Sequence, residues 1–78
     1  MPDFTEREFE VLLLMLQGLD NEEIAESLII TQSTVKAHLS SIYKKLEVKT
    51  RVQAVIKCVK LYLQGKLNLD EIFELSFV

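Results

Sequence analysis

Residues able to cap a helix recur at short intervals along this chain, and they constrain its fold more than any other feature. Thr5-Glu6-Arg7-Glu8 has the form in which a hydroxyl takes one free backbone N–H and a carboxylate three residues on takes another. Asp20 with Glu23 repeats that arrangement, Thr31 offers a third start, and Thr50 with Gln53 a fourth. Asn68 with Glu71 could open a fifth. Gly18 and Gly65 fall where a helix calls for a left-handed terminating residue. The expected helices are residues 6–17, 21–28, 32–46 and 51–64, with a turn or two at 69–75. No stretch longer than two or three residues alternates like a strand. The fold class is all-α: a compact four-helix domain with room for a short fifth helix at its C-terminus.

Seventy-eight residues make a single domain, 1–78. A chain of this size buries only about 60% of the surface that its unfolded form exposes, so each core contact counts. Almost half of the residues are apolar (49%), with two glycines and one proline, which favours packed helices over a loop-rich or disordered chain. The lone Cys58 excludes an internal disulfide and a multi-cysteine metal site. The longest apolar run, Val11 to Leu16, is far too short to span a membrane, and the acidic N-terminus does not read as a leader. The expectation is a cytoplasmic protein that needs no cofactor and contacts no membrane.

A net charge of −3 argues at first against a nucleic-acid partner, but its distribution argues the other way. Residues 1–35 carry eight acids against Arg7, a net of −7, and residues 36–66 carry eight bases against Glu47, a net of +7. The tail, 67–78, adds three acids. A partition of this size matters more for partner choice than the total.

The second and third helices are separated by Ile29, Ile30 and Thr31 alone. A short helix, a tight turn and a longer helix form the helix-turn-helix plan, here about residues 21–40, whose second helix enters the major groove. Ile24, Ala25 and Leu28 anchor the first of the pair. Val35, Leu39, Ile42 and Leu46 give the second an apolar stripe at i, i+4, i+7 and i+11. Opposite that stripe lie Ser33, Lys36, Ala37, Ser40 and Lys44, with Gln32 near the exposed start. Such a short-chained, positive face can approach base edges and phosphates. An ordinary solvated helix face has the same pattern, so the rival reading is a helical protein-interaction module that docks a regulatory domain or a transcription-factor partner.

Longer motifs carry a resemblance. Phe4-Thr5-Glu6-Arg7-Glu8, Val11-Leu12, Gly18-Leu19, Glu23-Ile24-Ala25 and Leu28 appear in order, followed by Thr34-Val35-Lys36-Ala37-His38-Leu39, Ile42-Tyr43-Lys44-Lys45-Leu46 and Arg51-Val52-Gln53-Ala54. In order and spacing this resembles the LuxR-type (GerE-like) DNA-binding domain. The resemblance implies the duplex-DNA-binding effector module of a bacterial transcriptional regulator, acting as a dimer, with a linked or separate regulatory domain. It places Lys36, Ala37 and Ser40 towards bases, beside Gln32 and Ser33 of the same outer face. Thr34, Lys44, Lys45 and Arg51 match positions near phosphates, and Lys49 joins them. At the Ser40 position, where family members often carry a larger or charged residue, this chain has only a hydroxyl. Sequence choice is therefore expected to lean on Lys36, on water and on DNA shape.

The fourth helix carries two apolar faces. Ala54, Val55, Cys58, Leu61 and Tyr62 can fill the core, which leaves Val52, Ile56, Val59 and Leu63 without a partner in so small a domain. The resemblance puts a dimer contact there. The first helix has a second apolar stripe as well, Phe9, Leu13 and Leu16, and the tail has a matching surplus in Leu69, Ile72, Phe73, Leu75, Phe77 and Val78. The expectation is that the tail folds back towards the first helix, with docking of an external partner as the alternative.

His38 flanks the apolar stripe and has no Cys or His at ligand spacing, so it reads as a half-buried histidine rather than a metal ligand. Ser33, Ser40 and Ser41 near His38 lack the positioned acid and oxyanion donors of a triad. Cys58 reads as a small buried apolar residue, and Glu8 as a capping partner. No residue reads as catalytic, and the chain reads as no enzyme.

Overall fold

The computed structural model describes residues 3–70. Four helices follow in order: α1 (Glu6–Leu16), α2 (Asn21–Leu28), α3 (Gln32–Leu46) and α4 (Arg51–Leu63), with no strand among the described residues. The starts fall where the capping residues put them. The Thr5 hydroxyl accepts from Glu8 N–H at 3.1 Å while the Glu8 carboxylate accepts from Thr5 N–H at 2.9 Å. Asp20 and Glu23 form the same reciprocal pair at 2.9 and 3.0 Å. Thr31 and Thr50 each accept from the N–H three residues on. Gln53, however, turns back to the N–H of Lys49, one residue before the cap.

The ends are more uniform than the glycines alone suggest. α1 and α4 stop one residue earlier than expected, at Leu16 and Leu63, with Gln17 and Gln64 as their caps. Gly18 and Gly65 then adopt φ of 93° and 72°, and the next residue closes the helix by donating its N–H to a carbonyl five residues back: Leu19 to Leu14, Lys66 to Leu61. α2 and α3 use the same closure, Ile30 to Ala25 and Val48 to Tyr43, through non-glycine residues at φ of 56° (Ile29) and 59° (Glu47). Left-handed backbone costs a residue with a Cβ about 1–2 kcal/mol, and the cost is greatest in kind for β-branched Ile29.

α3 is the hub, packing against α1, α2 and α4. Its stripe of Val35, Leu39, Ile42 and Leu46 is buried against Val11, Leu12 and Met15 of α1, Ile24 and Ala25 of α2, and Ala54 and Cys58 of α4. Leu28 is half-buried at the edge of that cluster. Fully burying each of the valine, leucine, isoleucine and methionine side chains among them contributes roughly 1.5–3 kcal/mol before conformational entropy is charged against it. Phe9, Leu13 and Leu16 are half-buried and lie against the same core. The chain beyond α4 returns to it as well, since Leu67 and Leu69 are buried in the cluster. Asp70 is tied down twice: its N–H donates to Asn68 Oδ1 and its carboxylate accepts from the Tyr62 hydroxyl, both at 2.9 Å. Ile72, Phe73, Leu75, Phe77 and Val78, and with them the fifth helix and its contact with α1, lie outside the described residues.

Charge is sorted by helix. α2 holds three acids and no base, whereas α3 and α4 hold three bases each and no acid.

Candidate nucleic-acid interface

Burying the α3 stripe fixes what the helix offers to solvent. Gln32, Ser33, Thr34, Lys36, Ala37, Ser40 and Lys44 are all exposed, while His38 is half-buried at the border. The helix is held at both ends of this face. At its start the hydroxyls of Thr31 and Thr34 lie 2.9 Å apart, so the Thr34 side chain is already engaged by the cap. Lys44 and Lys45 occupy its last turn, where cations sit favourably against the unpaired carbonyls.

Two of the expected cations already have partners within the domain. The Lys45 ammonium lies 2.5 Å from Glu8 Oε1 and 2.9 Å from the Asp3 carbonyl, its side chain 32% exposed. Ser41, four residues earlier and so on the same face of α3, donates to the other Glu8 oxygen at 2.5 Å. The Lys45 hydrogen bond, then those from Ser41 and Thr5 N–H, hold the Glu8 carboxyl down at about 2 against the opposing effect of burial. Lys45 is thus a joint between α3 and the start of α1. Arg51 is similarly occupied: its guanidinium donates to the Leu19 carbonyl and, at 3.4 Å, to Asn21 Oδ1. It ties the first turn of α4 to the entry of α2.

Both attachments join residues more than thirty positions apart, and the pattern along one helix does not contain them. The usable signal was the i, i+4 pairing of Ser41 and Lys45, which aims two donors at one acceptor. Lys36, Lys44 and Lys49 make no side-chain hydrogen bond or ion pair among the described residues. A shallow recess between α2, α3 and α4 is lined by Asn21, Lys36, Leu39, Ser40, Tyr43 and Arg51 and contains no acid. The expected base-facing residues and two expected phosphate-facing lysines, Lys44 and Lys49, are therefore exposed and unpaired, whereas Lys45 and Arg51 are partly occupied by bonds to other helices.

On α4, Ala54 and Cys58 are buried, whereas Val52, Ile56, Val59 and Leu63 are 68%, 50%, 48% and 78% exposed. Burial pushes the Cys58 thiol up to about 11, so it is un-ionised at neutral pH. No group of three His, Cys, Asp or Glu side chains gathers among the described residues in a way that would hold a metal ion. No helix among them is long and apolar enough to cross a membrane.

Residues 2–58 match the family model described as bacterial regulatory proteins, luxR family (GerE). The chain is 55% identical over 58 residues to the transcriptional regulatory protein LnrK of Bacillus subtilis, covering 74% of this chain and 26% of that protein. It is 58% identical over 52 residues to the response regulator protein VraR of Staphylococcus aureus and to its namesake in Staphylococcus epidermidis, covering 67% of this chain and 25% of each. The chain spans about a quarter of the length of these curated relatives.

Proposed function

The chain belongs to the luxR family of bacterial regulatory proteins, and from that premise we propose that it is the sequence-specific, duplex-DNA-binding module of a transcriptional regulator. α3 lies in the major groove. Gln32, Ser33, Lys36, Ala37 and Ser40 face bases, and Lys44 and Lys49 face phosphates. Thr34 meets the backbone through a hydroxyl shared with its cap, while Lys45 and Arg51 serve chiefly to set the angles between helices. The observation that carries this reading is the outer face of α3, exposed along its length, free of acids and bordered by unpaired lysines.

Two copies join through Val52, Ile56, Val59 and Leu63 of α4, an apolar stripe left in solvent by a chain that fills its core with the opposite side of the same helix. A regulatory domain, linked or separate, controls access to that stripe or to α3, and the module itself is non-enzymatic and works in the cytoplasm. Selection of bound duplexes from a random pool tests the reading. The expected outcome is an enriched motif made of two symmetry-related half-sites. Enrichment of nothing beyond the starting pool would overturn it.

A further inference from the structure

We propose that Glu47 pairs with Lys60 of a second copy at the rim of the α4 contact and so restricts pairing to identical chains, an inference that rests on the pairing reading above. Glu47 is the sole acid among residues 36–66, which carry eight bases. It is exposed, and it follows α3 in left-handed backbone at φ of 59°, where glycine or asparagine would be less strained. Its carboxylate gains nothing inside the domain. The ion pairs among the described residues are Arg7 with Glu10 and Lys45 with Glu8, and Glu47 takes part in neither. DNA does not account for it either, because an acid between Lys44 and Lys49 lowers the attraction of that edge for phosphate.

The surroundings of Glu47 select its partner. With Val48, Gln53, Ile56, Lys57 and Lys60 it lines one shallow recess between the end of α3 and the side of α4. Ile56 belongs to the exposed stripe, so the recess opens onto the pairing surface. Lys60 is exposed and stands four residues after Ile56 and three before Leu63, along the edge of that stripe. Lys57 is half-buried and lies farther round the helix. Neither lysine joins an ion pair among the described residues. A two-fold contact uses the same patch on both copies, so both lysines of each copy gather at its rim and repel. Glu47 of each copy answers that repulsion by receiving Lys60 of the other. Exposed pairs of this kind add little to the stability of one chain, but they decide which surfaces can approach. A regulator with the same apolar stripe and lysines but no acid at this position meets repulsion alone.

The test uses the full chain and two duplexes from the random-pool selection, one with both half-sites and one cut to a single half-site. Titrations on the pair give the cooperativity between half-sites and the single-site affinity separately. Glu47→Lys and Lys60→Glu are each expected to lower cooperativity about tenfold, since each turns both rim pairs into like charges. An equal mixture of the two variants re-forms both pairs, and so does the double variant Glu47→Lys, Lys60→Glu. Both are expected to recover cooperativity to within about twofold of the unaltered chain, as residues in direct contact should. Glu47→Gly, which removes the carboxylate and the strain together, should melt no lower than the original and still lose part of the cooperativity. Unchanged cooperativity in both single variants overturns the proposal and leaves the α4 contact standing. So does a loss that neither the mixture nor the double variant restores. A Glu47→Lys change felt only in single-site affinity assigns the acid to the DNA edge and likewise overturns it. An unaltered chain that fills the two half-sites independently is a different result, which removes the pairing reading itself and the rim pair with it.

Discussion

The Glu8 carboxylate sits 2.5 Å from the Lys45 ammonium, thirty-seven residues along the chain, and this pair fastens the start of α1 to the end of α3. It carries a pH dependence whose sign is fixed. The folded carboxyl titrates at about 2 against an ordinary value of 4.5. Its contribution is therefore complete above 4.5 and is lost as pH falls through the folded value. Glu8→Gln should lower stability at neutral pH by about 1–3 kcal/mol, the cost of breaking charged, largely buried hydrogen bonds. Thermal melts from pH 7 down to pH 2 should show the gap between the two proteins closing below 4.5. A gap that stays constant across that range would remove Glu8 from the acid transition.

The lysines of α3 should divide into three kinds. Lys36→Ala is expected to weaken specific binding by about 1–3 kcal/mol and to relax choice at one base pair. Lys44→Ala should weaken binding to all sequences alike and flatten the slope of log affinity against log salt by about 0.9. Lys45→Ala should lower the melting temperature and leave that slope nearly unchanged. Titrations at several salt concentrations, set beside melting curves, separate the three.

Val59→Lys tests the α4 stripe. The position is 48% exposed, so a lysine can reach solvent and the monomer should keep its helical signal and its melting temperature. Binding to a double site should lose its cooperativity while single-site binding persists. The stripe's four side chains offer well under the ~800 Å² per partner of a standard interface, so the free chain should sediment as a monomer even before the change. A variant that unfolds would make Val59 part of the core instead.

Leu69→Ala tests the return of the chain after α4. The side chain is buried in the core cluster, and truncating it should cost about 2–5 kcal/mol, a large share of the stability of a domain this small. Denaturant melts should show the loss with the unfolding slope unchanged. A change within experimental error would mean that the segment after Gly65 packs only loosely.

The helices and the outer face of α3 were legible because their causes are local. Thr5, Asp20, Thr31 and Thr50 act on N–H groups three residues away, and the stripe from Val35 to Leu46 declares its period within one helix. The ends of α2 and α3 fell where expected, at Leu28 and Leu46, but the left-handed caps that make them, Ile29 and Glu47, were not legible. Their left-handed backbone is imposed by the closing bonds of Ile30 and Val48 and not by a residue type that prefers it. Nor were the bonds of Lys45 and Arg51 to distant parts of the chain. A lysine among lysines reads as one more phosphate contact until the crossing of α1 and α3 delivers Glu8 to it. The exposed stripe of α4 was legible by subtraction, since one side of the helix sufficed for the core.

Cys58 gives the domain an internal clock. A thiol with no exposed surface, held at about 11, reacts with an aromatic disulfide reagent only in molecules that have opened. Its labelling rate therefore counts openings directly, without an introduced probe. It lies on the inward side of the helix whose outward side is proposed to pair. Anything that holds the closed form, a duplex or a second copy, must slow the clock by the factor through which it stabilises that form. The strengths of DNA binding and of pairing can thus be read on one scale, in seconds, from the same sulfur atom.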